Sequence, residues 1–364
     1  MHINSLKLQN FRNYTEAVLE FSPLTNMIYG DNAQGKTNIL EAVYMFAQGR
    51  SHRAKSDKEL IRFGADMAQL EITFEDADRS YTAKMRLCRR NSGKKSVWIN
   101  SVPINKLSKL MSYLNVVMFS PEDLDLVKGS PAFRRRFIDS ALSQLYPKYL
   151  ISLSEYSKAL AQKNSLLKQL KANGKSSDSL LTVWNMTLAE KGALIMKYRS
   201  EFLERLNEFA SSIQKEICGE ELRLEYSPSI KTENELDENE FLSRLEAAQE
   251  REILFASALL GIQRDNLSIT INGKEARLYG SQGQQRTAAL SIKIAQADCI
   301  QHIRDEYPVL LLDDIMSELD INRRMYLAQR IKNKQVLITS TDTDLTKSTA
   351  ETHLFRIQSG SVIM

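Results

Sequence analysis

Residues 30–37 read Gly30-Asp31-Asn32-Ala33-Gln34-Gly35-Lys36-Thr37. This octapeptide fits G-x-x-x-x-G-K-[ST], a loop whose backbone N–H groups curl around phosphate oxygens. Its flanks suit it. Leu24 to Tyr29 is a short apolar run able to form a buried strand, and Thr37 to Phe46 carries apolar residues at helical spacing. Strand, glycine loop and helix in that order set a helix N-terminus, with its partial positive charge, against the anion. Lys36 is expected to reach the β- and γ-phosphates, and Thr37 to offer its hydroxyl to Mg²⁺. A chance glycine loop with an exposed lysine is the weaker reading of such a context.

A partner for this loop lies far along the chain. Val309-Leu310-Leu311-Leu312-Asp313-Asp314 is an apolar strand ending in carboxylates, the Walker B pattern. Asp313 is expected to hold Mg²⁺ and Asp314 to orient or deprotonate an attacking water. Two helix-capping aspartates would read the same in isolation, but weakly beside a P-loop. Ser317-Glu318-Leu319-Asp320 follows. Upstream, Ser281-Gln282-Gly283-Gln284-Gln285-Arg286 precedes an amphipathic helix expected from about Thr287 to Arg304. A serine and a glycine there suit a second phosphate cradle. Ser281 acting as a plain N-cap is the competing reading.

Composition narrows the class. The chain has 364 residues, 43% hydrophobic and 26% charged, with net charge +4, as in a folded protein of one large or two ordinary domains. Three widely spaced cysteines, Cys88, Cys218 and Cys299, point to neither a disulfide framework nor a zinc site. The N-terminus carries no apolar signal-peptide core and no apolar run approaches a membrane span, so a cytoplasmic protein without a membrane partner is expected.

Residues 3–22 read as two strands around Asn10-Phe11-Arg12-Asn13-Tyr14, with Arg12 placed to reach the bound nucleotide or to be a solvated turn residue. Residues 69–102 alternate as antiparallel strands. Residues 81–120 contain no Asp or Glu but eight basic residues: Lys84, Arg86, Arg89, Arg90, Lys94, Lys95, Lys106 and Lys109. With Arg50, Arg53, Lys55 and Lys58 they form a candidate polyanion-binding face, the alternative being a solvated surface. Trp98 within it could stack on a base or belong to the core. Residues 131–215 show almost no strand signal. Ser130-Pro131 suits a helix start, and Ile195, Tyr198, Phe202, Leu206, Phe209 and Ile213 form an apolar stripe. Lys171 to Ser179 is a polar turn between two helices, and residues 231–250, with Glu233, Glu235, Asp237, Glu238 and Glu240, read as an acidic loop and helix. Asn272-Gly273 signals a hairpin after Ile269-Thr270-Ile271.

A P-loop, S-x-G-x-x, Walker B and S-E-L-D in this order are the layout of an ABC-type ATPase head. N-F-R-N-Y, G-D-N-A-Q-G-K-T-N-I-L-E-A, F-S-P-E-D-L, R-R-x-F-I-D, S-Q-G-Q-Q-R and L-L-L-D-D-I-M-S-E-L-D together make nearly the whole chain resemble the RecF family of bacterial DNA repair and replication proteins, which are ABC/SMC-type ATPases. The fold implied is α/β: a P-loop head of mixed sheet over 1–115 and 262–364, an antiparallel β subdomain at about 69–105, and an inserted helical lobe over 116–261. The cofactors implied are ATP and Mg²⁺. Two chains would dimerise on ATP, each nucleotide lying between Lys36 and Thr37 of one subunit and Ser281, Gly283 and Gln284 of the other, with Arg286 supporting the interface. Phe119-Ser120-Pro121 would occupy the Q-loop place. The partners implied are double-stranded and gapped DNA and RecR with RecO, in recombinational repair and recombinase loading, with weak DNA-stimulated ATP hydrolysis resetting the dimer.

Three features depart from the pattern. Asp314 stands where many ABC heads have Glu, the strand ending at Thr339-Ser340-Thr341-Asp342 has no switch histidine, and Ile262, Gln263 and Asn266 interrupt the G-P-H-R-D-D of relatives. An SMC-like chromosome-organising head is argued against by the short helical insertion, and a transporter ATPase by the β-region and basic stretch. In a small-molecule kinase, S-x-G-x-x and S-E-L-D would have no role.

Overall fold

The structure, a computed structural model, describes residues 1–89, 95–105, 107–175, 177–231, 237–341 and 352–363. Arg90, Lys94 and Lys106 of the basic stretch, Glu233 and Glu235 of the acidic one, Ser176 of the polar turn and Asp342 lie outside the described residues. The chain divides into two compact units, Met1–Asp123 with Lys293–Met364, and Leu124–Ile292. The division falls beyond the 115 and 261 boundaries expected from the sequence.

The first unit holds two six-stranded sheets. Strands are numbered along the chain. One sheet is antiparallel, in the order β2 (Tyr14–Glu20), β1 (His2–Phe11), β4 (Met67–Glu75), β5 (Ser80–Cys88), β6 (Ser96–Ile99) and β7 (Val102–Ile104). The other has the order β15 (Ser361–Ile363), β14 (Thr352–Gln358), β3 (Thr25–Tyr29), β13 (Val336–Ser340), β12 (Val309–Asp313) and β8 (Val116–Phe119), parallel except for β15. Residues of β8, β12 and β13 are buried throughout, as apolar runs in a parallel sheet covered on both faces must be. Helix α1 (Lys36–Gln48) joins both sheets in one core. Ile39, Leu40, Val43 and Phe46 pack with Leu6 and Leu8 of β1, Leu70 of β4 and Leu311 of β12. Parallel register aligns the carboxyl ends: Thr339 pairs with Ile28 and with Asp313, and Phe119 with Leu312. The carboxyl ends of β3, β12 and β13 therefore lie side by side, the usual place for a ligand in an open α/β sheet.

The second unit is built on helices α2 (Pro131–Leu145), α3 (Pro147–Ala172), α4 (Ser179–Cys218) and α5 (Glu238–Ala247). Pro131 opens α2, where its missing N–H is no loss. The α4 stripe is inward: Ile195, Phe202, Leu206 and Ile213 are buried, with Tyr198 and Phe209 half-buried. A three-stranded antiparallel sheet, β9 (Leu222–Ser227), β10 (Asn266–Ile271) and β11 (Lys274–Glu275), completes the unit. Asn272 and Gly273 turn β10 into β11 with φ 49° and 73°, the two positive angles of a type I′ hairpin. Pairing of β9 with β10 is what carries residues 262–292 into this unit. Helix α6 (Gln282–Arg304) takes the chain back to the first unit.

The departing loop at Gly261–Leu267 is tied down by side chains around the buried Asp265. Arg199, only 1% exposed, donates to Asp265 Oδ2 at 2.8 Å, Ile262 O at 3.0 Å and Asp139 Oδ1 at 2.8 Å. Gln263 Oε1 accepts from Tyr156 at 2.6 Å and Asn266 Oδ1 from Arg134 at 3.0 Å. Burial pushes the Asp265 carboxyl up, against the pull of Arg199 and the Tyr226 hydroxyl. Among the described residues no helix is long and apolar enough to cross a membrane.

Candidate nucleotide-binding site

The P-loop leaves β3 at Gly30, whose φ is 150° and whose added Cβ would lie 2.3 Å from Ile357 O of β14. Only glycine fits there. Two neighbours hold the loop's far side. Asn13, in the β1–β2 turn, donates to Gln34 O at 2.7 Å, and Tyr14 donates to Gly35 O at 3.0 Å. The turn after β14 adds Gly360 N to Gln34 O at 3.2 Å and Ser359 N to Gln34 Oε1 at 2.5 Å. Lys36 is nearly buried and folds back over the loop, donating to Gly30 O at 2.7 Å and Asp31 O at 2.9 Å. The ammonium thus stands over the cradle, and a phosphate chain would exchange carbonyl partners for anionic ones.

Thr37, in the first turn of α1, donates to Asp313 Oδ1 at 2.8 Å across 276 positions of sequence. Thr339 of β13 donates to the same oxygen at 2.9 Å. Burial pushes the Asp313 carboxyl up, with the Thr37 and Thr339 hydroxyls opposing it. A hydroxyl and a carboxylate side by side are hard oxygen donors of the kind Mg²⁺ takes, with phosphate oxygens and water completing an octahedron. Among the described residues no protein-only cluster of three or more His, Cys, Asp or Glu could hold a metal. Asp314 follows in the left-handed region, φ 50°, with its N–H donated to Thr339 Oγ1 at 2.9 Å. Asp is among the residues that tolerate that backbone.

Arg12 is fixed differently from the sequence expectation. Its guanidinium is bound to Glu41 of α1 and to Glu59 O. It still lines a cavity of about 610 Å³ with Asn13, Asn38, Arg53, Lys58 and Phe63, adjoining the loop at Asn13 and Asn38. Trp98 lies half-buried on the outer face of β6 with Arg86 above its ring at 5.5 Å, so it is not core. The basic face is partly neutralised, because Lys84 pairs with Glu71 and Lys95 with Asp57, both at 3.0 Å. Arg50, Arg53, Lys55, Lys58 and Lys109 are exposed.

Ser281, Gly283, Gln284 and Arg286 belong to the second unit. The helix begins at Gln282 rather than near Thr287. Ser281 Oγ accepts from Gln284 N at 3.2 Å, while Gln284 Oε1 accepts from Ser281 N at 2.8 Å, a reciprocal capping box. Sequence reading missed Asn13, Tyr14, Thr339 and Glu41 as parts of the site. Asn13 and Tyr14 stood inside the N-F-R-N-Y motif, Glu41 inside G-D-N-A-Q-G-K-T-N-I-L-E-A and Thr339 at the end of its strand, but nothing local marks the partner that each of them takes.

The P-loop and the carboxylate strand, joined on this sheet with an antiparallel β layer, define an ABC/SMC-type ATPase head. The profile of the RecF/RecN/SMC N terminal domain family matches residues 2–362. The DNA replication and repair protein RecF of Agathobacter rectalis is 45% identical over 346 residues, covering 94% of this chain and 93% of that one. RecF of Bacillus cereus is 42% identical over 351 residues, with the same coverage. A solved structure of the recombination mediator protein RecF with ATP, in the RecFOR pathway, superposes with TM-score 0.91 at 34% identity, covering 100% of this chain and 97% of that one. An SMC head bound to the C-terminal winged helix of ScpA, at 19% identity and TM-score 0.57, shares the fold. The chain belongs to the RecF family of DNA replication and repair proteins.

Proposed function

We propose that this protein is an ATP-dependent DNA clamp. ATP lies on Gly30–Thr37, Lys36 neutralises the β- and γ-phosphates, and Thr37 and Asp313 hold Mg²⁺. Asp314 orients the attacking water. ATP brings two chains together, with Ser281, Gly283, Gln284 and Arg286 of one closing on the nucleotide of the other. Arg12 serves the nucleotide by bracing α1 and walling the adjoining cavity. The dimer holds double-stranded or gapped DNA through exposed basic residues, and slow, DNA-stimulated hydrolysis releases it. Acting in the cytoplasm with RecR and RecO, it aids recombinase loading in repair and replication restart. The observation that carries this reading is the 2.8 Å bond from Thr37 to Asp313, which sets the P-loop hydroxyl and the Walker B carboxylate around one point.

The test is molar mass by light scattering without nucleotide, with ATP and with ADP, each with and without a short duplex. A dimer only with ATP, strengthened by duplex and absent in Lys36→Ala, is the expected result. A monomer in every condition overturns the clamp.

A further inference from the structure

The proposed trans donor end of α6 already faces an anion of its own chain. Glu220 lies in the link between α4 and β9, just past Gly219, which ends α4 in the left-handed region. Its Oε1 accepts from Gln284 Nε2 at 2.5 Å, and its Oε2 accepts from Cys218 Sγ at 3.4 Å. Gln284 is the hinge of the arrangement. Its amide oxygen takes the Ser281 N–H, its backbone N–H binds the Ser281 hydroxyl, and its amide nitrogen reaches Glu220. One relay, Glu220 to Gln284 to Ser281, therefore holds the cap of α6 and sets a carboxylate on the side-chain amide of its first turn.

A helix N-terminus attracts one anion well and a second one poorly. The partial positive charge there is about half an elementary charge and fades within a turn. A carboxylate close by satisfies it, and a phosphate arriving at Ser281 and Gly283 then meets like charge. We infer that Glu220 is a built-in electrostatic brake on the trans nucleotide. It positions Gln284, and through it Ser281, while its charge opposes the γ-phosphate held on the partner's P-loop. Glu220 lies outside both the P-loop and the Walker B strand, so it acts on dimer closure and not on nucleotide capture.

The inference rests on the trans role of Ser281 proposed above, and the experiment separates the two. Glu220→Gln keeps an oxygen acceptor for Gln284 and removes the charge. Sedimentation equilibrium with a slowly hydrolysed ATP analogue measures the dimer dissociation constant, and a fluorescent ATP analogue measures monomer binding. The expected result for Glu220→Gln is a dimer about three- to tenfold tighter at low salt, a gain that shrinks as salt screens it, and unchanged monomer binding. A dimer equal to or weaker than wild type, or a gain indifferent to salt, overturns the brake while leaving the clamp intact. Absence of any ATP-dependent dimer in the wild type overturns the clamp itself.

Discussion

The Arg12 guanidinium closes on the Glu41 carboxylate through two bonds, Nε to Oε2 at 2.8 Å and Nη2 to Oε1 at 2.6 Å. Glu41 is fully buried and takes a third bond from Ser51 Oγ at 2.5 Å. This pair ties the β1–β2 turn, which braces the P-loop, to the helix that leaves it.

Arg12→Ala strands a buried carboxylate, and unfolding in urea should show a loss of roughly 3 kcal/mol. Arg12→Lys should recover little, because an ammonium cannot make the paired bonds. The pH dependence has a definite sign. Burial pushes the Glu41 carboxyl up, but Arg12 and Ser51 outweigh it and hold it below the ordinary glutamate range. The stabilisation is then complete above about pH 4.3 and is lost as pH falls through the lowered value. The difference between wild type and Arg12→Ala should be largest near neutrality and shrink as pH falls, because in the variant burial has lost its main opponent and raises the Glu41 carboxyl, so that protonation relieves the stranded charge.

Gly30→Ala places a methyl 2.3 Å from Ile357 O at a φ of 150°. Neither β3 nor β14 can move without breaking its ladder. A loss of about 3 kcal/mol or more is expected, together with loss of ATP binding, read by thermal shift with and without nucleotide.

The elements that were legible are those whose signal is local. The P-loop, the Walker B run and the α4 stripe each declare themselves within a few residues. The capping box was equally local, since Ser281 and Gln284 stand at S-x-x-Q spacing, and reading it would have started α6 at Gln282. Leu222, Leu224 and Tyr226 alternate with Arg223 and Glu225, a strand signal that would have moved the domain boundary past residue 261. What no local pattern holds is the choice of distant partner. Glu41 with Arg12, Glu220 with Gln284, and Arg199 with Asp139 and Asp265 are set by tertiary packing. A charged residue's sequence neighbours do not reveal which buried group it satisfies.

Asp314→Asn should separate binding from chemistry. Asn keeps the left-handed backbone at φ 50° but cannot take a proton. ATP binding and dimerisation are expected to persist while single-turnover phosphate release falls about 10²- to 10³-fold. Unchanged hydrolysis would remove Asp314 from its role.

The basic face predicts a graded salt response. Replacing Arg53, Lys55 or Lys58, all exposed, with Ala should lower the slope of log affinity against log salt for duplex DNA by about one each. Lys84 and Lys95 are held by Glu71 and Asp57, so their removal should change the slope less. Equal effects at both sets would place DNA on the strand face as well as on the loop.

Ser281→Arg offers the sharpest test of the site's division between subunits. Alone, it should remove the cap, at about 1 kcal/mol, and block the ATP dimer by bulk and charge, with monomer ATP binding nearly intact. Lys36→Ala should be inactive for the opposite reason, loss of nucleotide. Mixed, the two variants form heterodimers in which one site joins an intact Lys36 to an intact Ser281, and the other joins both defects. Because neither variant pairs with itself on ATP, the dimers that form are heterodimers with one whole site of two, so ATPase activity should reappear on mixing, up to about half the wild-type level. No recovery would mean that Ser281 serves the nucleotide of its own chain, and the trans arrangement would fall.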